Sequence, residues 1–230
     1  MKTVGIIGGL GPETTANFYL KVVFSSFEKH TEARPPMLIW NVPLPYQIEE
    51  DFITKTVGEE KYIPFLIDAA KRLEKGGAEF IVIPCNSVHI FINQVRNAVK
   101  IPILSIIEET VNFLKTQNIK EVGILATSST IRKKLYESRF QSNDILIHTP
   151  NEIDQKRMAN IINHLVHSKH NEEDKKELLQ IISNFASSGV KTIILACTDL
   201  QLLVPRHQDV MIYDTMEILA EATVRELLTK

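Results

Sequence analysis

The segment GGAEFIVIPCNSVH, residues 76–89, decides the predicted fold. A turn of two glycines leads into an apolar strand, and the strand ends at Cys85. The segment SGVKTIILACTDLQ, residues 188–201, repeats this pattern and ends its strand at Cys197, 112 positions (197 minus 85) after Cys85. These are the two cysteines of the 230-residue chain. The repetition predicts that both cysteines hold equivalent positions in a duplicated fold.

Two further matches follow in the same order along the chain. The segment KEVGILAT, residues 120–127, matches KTVGIIGG, residues 2–9, at an offset of 118 (120 minus 2). A strand predicted over residues 210–213 matches one within residues 101–104 at an offset of about 109. Three matches in one order favour a duplication over chance similarity. Strand patterns alternate with helical patterns, such as the helix predicted over residues 131–140, which indicates an α/β protein with mostly parallel sheets flanked by helices.

The duplication predicts two similar lobes that are related by a pseudo-twofold axis, with an active site in the cleft between them. A half of about 100 residues is an ordinary size for a domain. We expect the last helix, within residues 216–228, to return to the first lobe. We therefore assign residues 1–105 and 215–230 to the first α/β lobe and residues 106–214 to the second.

Composition argues against several classes of protein. The net charge is −2 and 23% of the residues are charged, which indicates neither a nucleic-acid nor a membrane partner. No apolar run approaches the ~18 residues of a membrane span, and we interpret the N-terminal segment as a first strand rather than a signal peptide. Two cysteines in a chain of this length do not form a disulfide framework. We expect a cytoplasmic protein whose thiols stay reduced.

The predicted loops at the carboxyl ends of the strands are the places where ligands bind in open α/β sheets. These loops span residues 8–12, 85–87, 127–130 and 197–199. A twofold axis between the lobes would set Cys85 and Cys197 on opposite walls of one cleft. Each cysteine also precedes a predicted helix, over residues 87–99 in the first case. Because helix N-termini carry partial positive charge, we expect a lowered pKa and a reactive thiolate.

Polar residues follow each cysteine, namely Asn86 and Ser87 after the first and Thr198 and Asp199 after the second. They are N-capping types, and side chains and free amides at such helix starts can hold a substrate carboxylate.

Two opposed cysteines suit the inversion of an amino-acid α-carbon. A thiolate on one face removes the α-proton while a thiol on the other face delivers one, and the reverse reaction exchanges their roles. No lysine lies in a cofactor motif, so pyridoxal phosphate is not invoked and no cofactor is expected. A single cysteine at a strand end is more often a core residue. The matching positions of Cys85 and Cys197 favour the catalytic interpretation.

Other motifs are weaker. The glycines of residues 8–12 do not complete G-x-G-x-x-G, because Thr14 stands at the last position, so we expect a tight loop that contacts the substrate. His89 lies one helical turn past Cys85, where it would either orient the loop and tune the thiol or be a locally satisfied helix residue. We interpret three evenly spaced histidines as a solvated helix end and predict no metal site: His164, His167 and His170.

The chain resembles the aspartate/glutamate racemase family of cofactor-independent amino-acid racemases over essentially its full length. Four motifs carry this resemblance: GGLGPETT at residues 8–15, PCNSVH at residues 84–89, ACTD at residues 196–199, and IYD at residues 212–214. The resemblance implies two similar α/β lobes, an active site between them, and a homodimer. It also implies a small acidic amino acid as the substrate, with aspartate placed before glutamate.

The resemblance also implies roles for individual residues. It makes Cys85 and Cys197 the two bases. The implied substrate-binding residues are Leu10, Gln47, Asn86, Ser87, Thr127, Lys169, Thr198 and Asp199. Two positions depart from the family pattern: Asp199 replaces the usual glutamate, and Gln47 stands near the place of an arginine that grips the substrate side chain. Aspartate as the substrate is therefore less firmly implied than the reaction.

Two other functions remain open from the sequence. One is a related enzyme on the same scaffold, such as a hydantoin racemase or a dicarboxylate isomerase. The other is a binding protein that uses the cleft without catalysis, although both cysteines are present.

Overall fold

The computed structural model describes residues 1–29, 32–52, 58–203 and 205–229. The first half comprises β1 (Val4–Gly8), α1 (Pro12–Lys29), β2 (Met37–Asn41), α2 (Tyr46–Glu50), α3 (Ile63–Lys75), β3 (Phe80–Val82), α4 (Ile92–Arg96), β4 (Ile103–Leu104) and α5 (Ile106–Thr116). The second half comprises β5 (Glu121–Leu125), α6 (Ser128–Arg132), α7 (Glu137–Gln141), β6 (Leu146–His148), α8 (Glu152–Val166), α9 (Glu172–Ser187), β7 (Thr192–Leu195), β8 (Met211–Asp214) and α10 (Thr215–Leu227). Short 3-10 helices cover Glu59–Tyr62, Ser87–Phe91 and Thr198–Leu203.

The strands form two parallel sheets with the same topology. The strand order is β2-β1-β3-β4 in the first sheet and β6-β5-β7-β8 in the second. Strand β3 lies between β1 and β4, as β7 lies between β5 and β8. The predicted α/β fold with two similar parallel-sheet lobes is confirmed. Cys85 and Cys197 follow β3 and β7, so each cysteine lies at the carboxyl edge of its own sheet.

The turn before each cysteine-bearing strand is also repeated. Helix α3 ends before Gly77, whose φ is 96°, and the N–H of Ala78 donates to the carbonyl of Leu73 at 3.0 Å. Helix α9 ends before Gly189, whose φ is 91°, and the next N–H donates in the same way at 3.1 Å to the carbonyl of Phe185. Glycine takes this left-handed conformation without the steric cost of a Cβ. Both halves therefore enter their second central strand through the same helix-ending motif.

Two predicted helices differ from the structure. The helix predicted over residues 87–99 begins as the 3-10 helix Ser87–Phe91, and only Ile92–Arg96 is α-helical. The helix predicted over residues 131–140 is divided into α6 and α7. Lys134 separates them with a φ of 53°, and this left-handed residue ends the first helix. Apolar periodicity continued across Lys134, so the sequence pattern did not reveal the break.

The helix that follows the last strand of each half crosses to the other half. Helix α10 packs along α1, and the N–H of Lys2 donates to the carbonyl of Leu227 at 3.0 Å. Helix α5 packs on the second half, where the ring of Phe113 lies 4.8 Å from that of Tyr213. These contacts support our assignment of residues 1–105 with 215–230 to one lobe and 106–214 to the other, which we retain as a proposal.

A shared core joins the lobes. Buried side chains of β1, such as Ile6, belong to one apolar cluster with Ile124 of β5 and Leu219 of α10. Among the helices of the described residues, none is long and apolar enough to cross a membrane.

Candidate active site

A pocket between the carboxyl edges of the two sheets is lined by both cysteines. Six of the other predicted site residues line it too: Leu10, Asn86, Ser87, Thr127, Thr198 and Asp199. Gly11 and Ser129, which also line the pocket, lie in two of the predicted ligand-binding loops. The remaining lining residues were not predicted: Glu49, Phe52, Tyr62, Val88, Ile162 and Val166. The duplicated strands thus bring Cys85 and Cys197 to one cavity.

Gln47 and Lys169 are not among the residues that line this pocket. Gln47 is exposed, and its amide donates to Asp51 at 3.1 Å. Lys169 is also exposed, and its backbone N–H donates to His164 at 2.8 Å. Helix α2 instead directs Glu49, two residues after Gln47, into the pocket.

The two thiols have the same backbone environment. The N–H groups of the residues two and three positions after each cysteine hydrogen-bond to its sulfur, and these bonds lower the pKa of the thiol. They belong to Ser87 and Val88 at Cys85, and to Asp199 and Leu200 at Cys197.

Burial outweighs these bonds at both sites. It raises the pKa of Cys85 to about 12 and that of Cys197 well above its ordinary value. The expectation of a lowered thiol pKa is therefore wrong. Desolvation of the charged sulfur exceeds the effect of two N–H groups on a short 3-10 helix. The negative charge of Asp199 also raises both pKa values.

Each cysteine loop is tied to the opposite lobe by the side chain two residues after the cysteine. The hydroxyl of Ser87 lies 3.1 Å from that of Thr127. Asp199, the counterpart of Ser87 at an offset of 112 (199 minus 87), accepts a hydrogen bond from Thr14 at 2.6 Å. The thiol of Cys197 lies 3.9 Å from the other carboxylate oxygen of Asp199. One cysteine loop thus carries a hydroxyl and the other a carboxylate, so the site is only approximately symmetric.

Asn86 joins the two halves through a buried chain of hydrogen bonds. Its amide nitrogen donates to Thr215 at 3.0 Å, and the Thr215 hydroxyl donates to the carbonyl of Leu195 at 2.8 Å. Because that hydroxyl hydrogen is used, Thr215 must accept from Asn86, and this fixes the orientation of the amide. The hydroxyl of Tyr136 then donates to the carbonyl oxygen of Asn86. The chain connects the loop of Cys85 to the end of β7, just before Cys197.

His89 holds the backbone of the first cysteine loop. Its Nε2 accepts a hydrogen bond from the N–H of Ile106 at 3.2 Å, so Nδ1 carries the proton and donates to the carbonyl of Cys85 at 2.7 Å. Burial lowers the pKa of His89 to about 4. The ring is therefore neutral at pH 7. The contacts satisfy both ring nitrogens within the protein and hold the loop in place. They do not support tuning of the thiol by a positively charged ring.

Comparison with known proteins agrees with this arrangement. The model of the Asp/Glu/Hydantoin racemase family matches residues 7–223. The chain belongs to this family. The broad specificity amino-acid racemase RacX of Bacillus subtilis is 28% identical over 237 residues, with 98% of each chain covered.

Two solved structures resemble this racemase-family chain over its whole length. A crystal structure described as a putative Asp/Glu racemase from Yersinia pestis has a TM-score of 0.86 at 27% identity, with 100% of both chains covered. An aspartate racemase homologue from Pyrococcus horikoshii has a TM-score of 0.81 at 27% identity, again with 100% of both chains covered.

Most of the pocket residues that were not predicted lie outside the matched repeats. Glu49 and Phe52 belong to the polar, acidic segment after β2, which showed no clear periodicity. In the structure Phe52 is buried, while Gln47 two residues before Glu49 is exposed. The one sequence signal that could have revealed a helix with a buried face here is the i, i+4 spacing of Ile48 and Phe52. Residues 53–57 of the same segment lie outside the described residues.

Proposed function

We propose that the protein is a cofactor-independent amino-acid racemase that uses Cys85 and Cys197 as its two bases. One observation carries the proposal: two cysteines at equivalent positions of a duplicated fold line a single pocket. Their charges also interact, because a negative Cys85 raises the pKa of Cys197. Two like groups of this kind cannot easily ionise together, so once one thiol has ionised the other stays protonated. This pair of one thiolate and one thiol is the state that inversion requires.

The proposed reaction moves one proton on each face of the α-carbon. A thiolate removes the α-proton and becomes a thiol, and the electron pair of the broken C–H bond stays on carbon. The opposite thiol gives its proton to the other face and becomes a thiolate. The substrate is converted to its mirror image, and the two cysteines have exchanged protonation states.

A bound amino acid would bring a positive charge that the described lining residues do not supply. Burial and the charge of Asp199 raise the pKa of both thiols. An α-ammonium group in the pocket would act in the opposite direction and favour ionisation of a nearby cysteine. Because Asp199 lies beside the Cys197 thiol, its charge favours the protonated form there. We propose that the form with Cys85 as the thiolate and Cys197 as the thiol is the favoured one and binds one enantiomer, while the form with the roles reversed binds the other.

The substrate-binding set is part of the proposal. Backbone and hydroxyl groups of Ser87, Thr127 and Thr198 would hold the α-carboxylate and α-amino group. The amide of Asn86 is largely used within the protein, and Leu10 supplies apolar surface. The acidic substrate that the resemblance implies lacks a cationic partner among the described residues that line the pocket.

The test is exchange of the α-proton with deuterated solvent, measured for acidic, neutral and basic amino acids. The proposal predicts exchange and inversion by the wild-type protein, and a loss of inversion of at least about a hundredfold in Cys85→Ser and in Cys197→Ser. Inversion that survives in both variants would contradict the two-base mechanism. Turnover of hydantoins or dicarboxylic acids, with no exchange of free amino acids, would instead select a related isomerase.

We further propose that the protein is a cytoplasmic homodimer. An apolar stripe on α1 supports the dimer: Leu20, Phe24 and Phe27 share one helix face and are 45%, 63% and 62% exposed. Light scattering of the wild type and of Phe24→Glu tests this assembly. A dimer is expected for the first and a monomer for the second.

A further inference from the structure

The charges in the pocket point to the side chain of the substrate. Among the described residues that line it, Glu49 and Asp199 are the acidic ones, and no lysine, arginine or histidine is present. Asp199 is engaged by Thr14 and lies beside Cys197, so it belongs to the proton-transfer machinery. Glu49 has no such role in the proposed reaction.

Glu49 faces the interior of the pocket rather than solvent alone. Burial raises the pKa of Glu49, and the charge of Asp199 raises it further. Burial is also the main cause of the raised pKa values of Cys85 and Tyr62, to which the charge of Glu49 adds. Glu49 lines the same pocket as Cys85, Tyr62 and Asp199. His167, which is exposed and hydrogen-bonded to a backbone carbonyl, lies outside the pocket lining and acts to lower the pKa of Glu49.

The wall next to Glu49 is apolar. Phe52 and Tyr62 are buried, with ring centroids 5.1 Å apart, and Val166 lines the pocket as well. A substrate carboxylate at this wall would meet the Glu49 carboxyl, and no lysine, arginine or histidine among the described lining residues would offset the repulsion. A linear aliphatic side chain that ends in a cation would instead place its methylene groups on the apolar wall and its charge at Glu49.

We propose that the pocket is built for an amino acid with a basic side chain, such as lysine, ornithine or arginine, and that Glu49 is the specificity-determining residue that binds its cationic end. This inference rests on the proposed racemase function and replaces the acidic substrate with a basic one. The α-carbon would lie between Cys85 and Cys197, and the side chain would extend toward α2.

The test compares kcat/KM for lysine, for its uncharged analogue norleucine and for aspartate. Wild type is expected to prefer lysine. Glu49→Gln is expected to lower kcat/KM for lysine by about tenfold or more, mainly through KM, because a charge-assisted hydrogen bond is lost. Its effect on norleucine should stay within about twofold. The matched control is Glu50→Gln, which removes the same charge from an exposed neighbour on α2 and should leave the preference unchanged.

Several outcomes separate this inference from the function on which it rests. Exchange of aspartate but not lysine would overturn the inference and leave the racemase proposal intact. An equal loss for lysine and norleucine in Glu49→Gln would also overturn it, since the effect would be structural. If no amino acid exchanges, the racemase proposal fails, and calorimetry then decides the inference. Lysine binding that is weakened in Glu49→Gln supports it, and tighter binding of aspartate than of lysine overturns it.

Discussion

The neutral, buried His89 makes a quantitative prediction about stability against pH. Its pKa is about 4 in the folded protein and about 6.5 in an unfolded chain. Between these values the unfolded chain binds a proton that the folded protein excludes. Stability is therefore complete above about pH 6.5 and falls as the pH drops toward 4. Between pH 7 and pH 5, this one residue should lower the free energy of unfolding by about 2 kcal/mol.

The assay is urea unfolding at pH 7 and pH 5 for the wild type, His89→Gln and His148→Gln. Glutamine does not titrate, so the drop in stability between the two pH values should be about 2 kcal/mol smaller in His89→Gln than in the wild type. His148 is half-buried and hydrogen-bonded to Glu121 at 2.8 Å, so its replacement controls for the loss of any histidine. If stability falls by the same amount between pH 7 and pH 5 in the wild type and in His89→Gln, His89 is not the neutral residue that we describe as holding the Cys85 loop.

Three further variants test the contacts around the pocket. Asp199→Asn removes a charge that raises the pKa of Cys197, so the corresponding limb of the pH profile of kcat/KM should move to lower pH; an unmoved profile would count against the pairing of these two groups. Tyr136→Phe leaves the buried carbonyl oxygen of Asn86 without its donor, which should cost about 1–3 kcal/mol of stability in urea unfolding; a loss below about 0.5 kcal/mol would show that the bond is unimportant. In Gly11→Ala the residue would keep a φ of 95°, and the new Cβ would lie only 2.9 Å from a carboxylate oxygen of Asp199. The variant should therefore lose more than about 1 kcal/mol of free energy of unfolding and have lower activity. Wild-type stability of this variant would contradict the geometry.

The parts of the structure that the sequence predicted are those fixed by local patterns repeated in both halves. An apolar run bounded by a glycine turn and a cysteine determines a buried parallel strand. The same pattern recurs before Cys197 and predicts a second strand of the same kind. The identical strand order of the two sheets follows from that repetition, as does the meeting of both cysteines in one pocket.

The parts that the sequence did not predict depend on packing between segments that are distant along the chain. The thiol pKa values are set by desolvation in the closed cleft, which has no local sequence pattern. Glu49 lines the pocket and Gln47 does not, because the orientation of the five-residue helix α2 is fixed by tertiary contacts. The role of Asn86 was likewise hidden, since its partners Tyr136 and Thr215 lie 50 and 129 residues away.

The central claim is that Cys85 and Cys197 act on opposite faces of one carbon. Its most direct test is the position of deuterium early in the reaction of a single enantiomer in deuterated water. With two bases, the product should carry deuterium from the solvent-equilibrated donor thiol while the unconverted substrate keeps its original proton. Deuterium that appears in the recovered substrate as fast as in the product would show one base acting on one face, and would contradict the account.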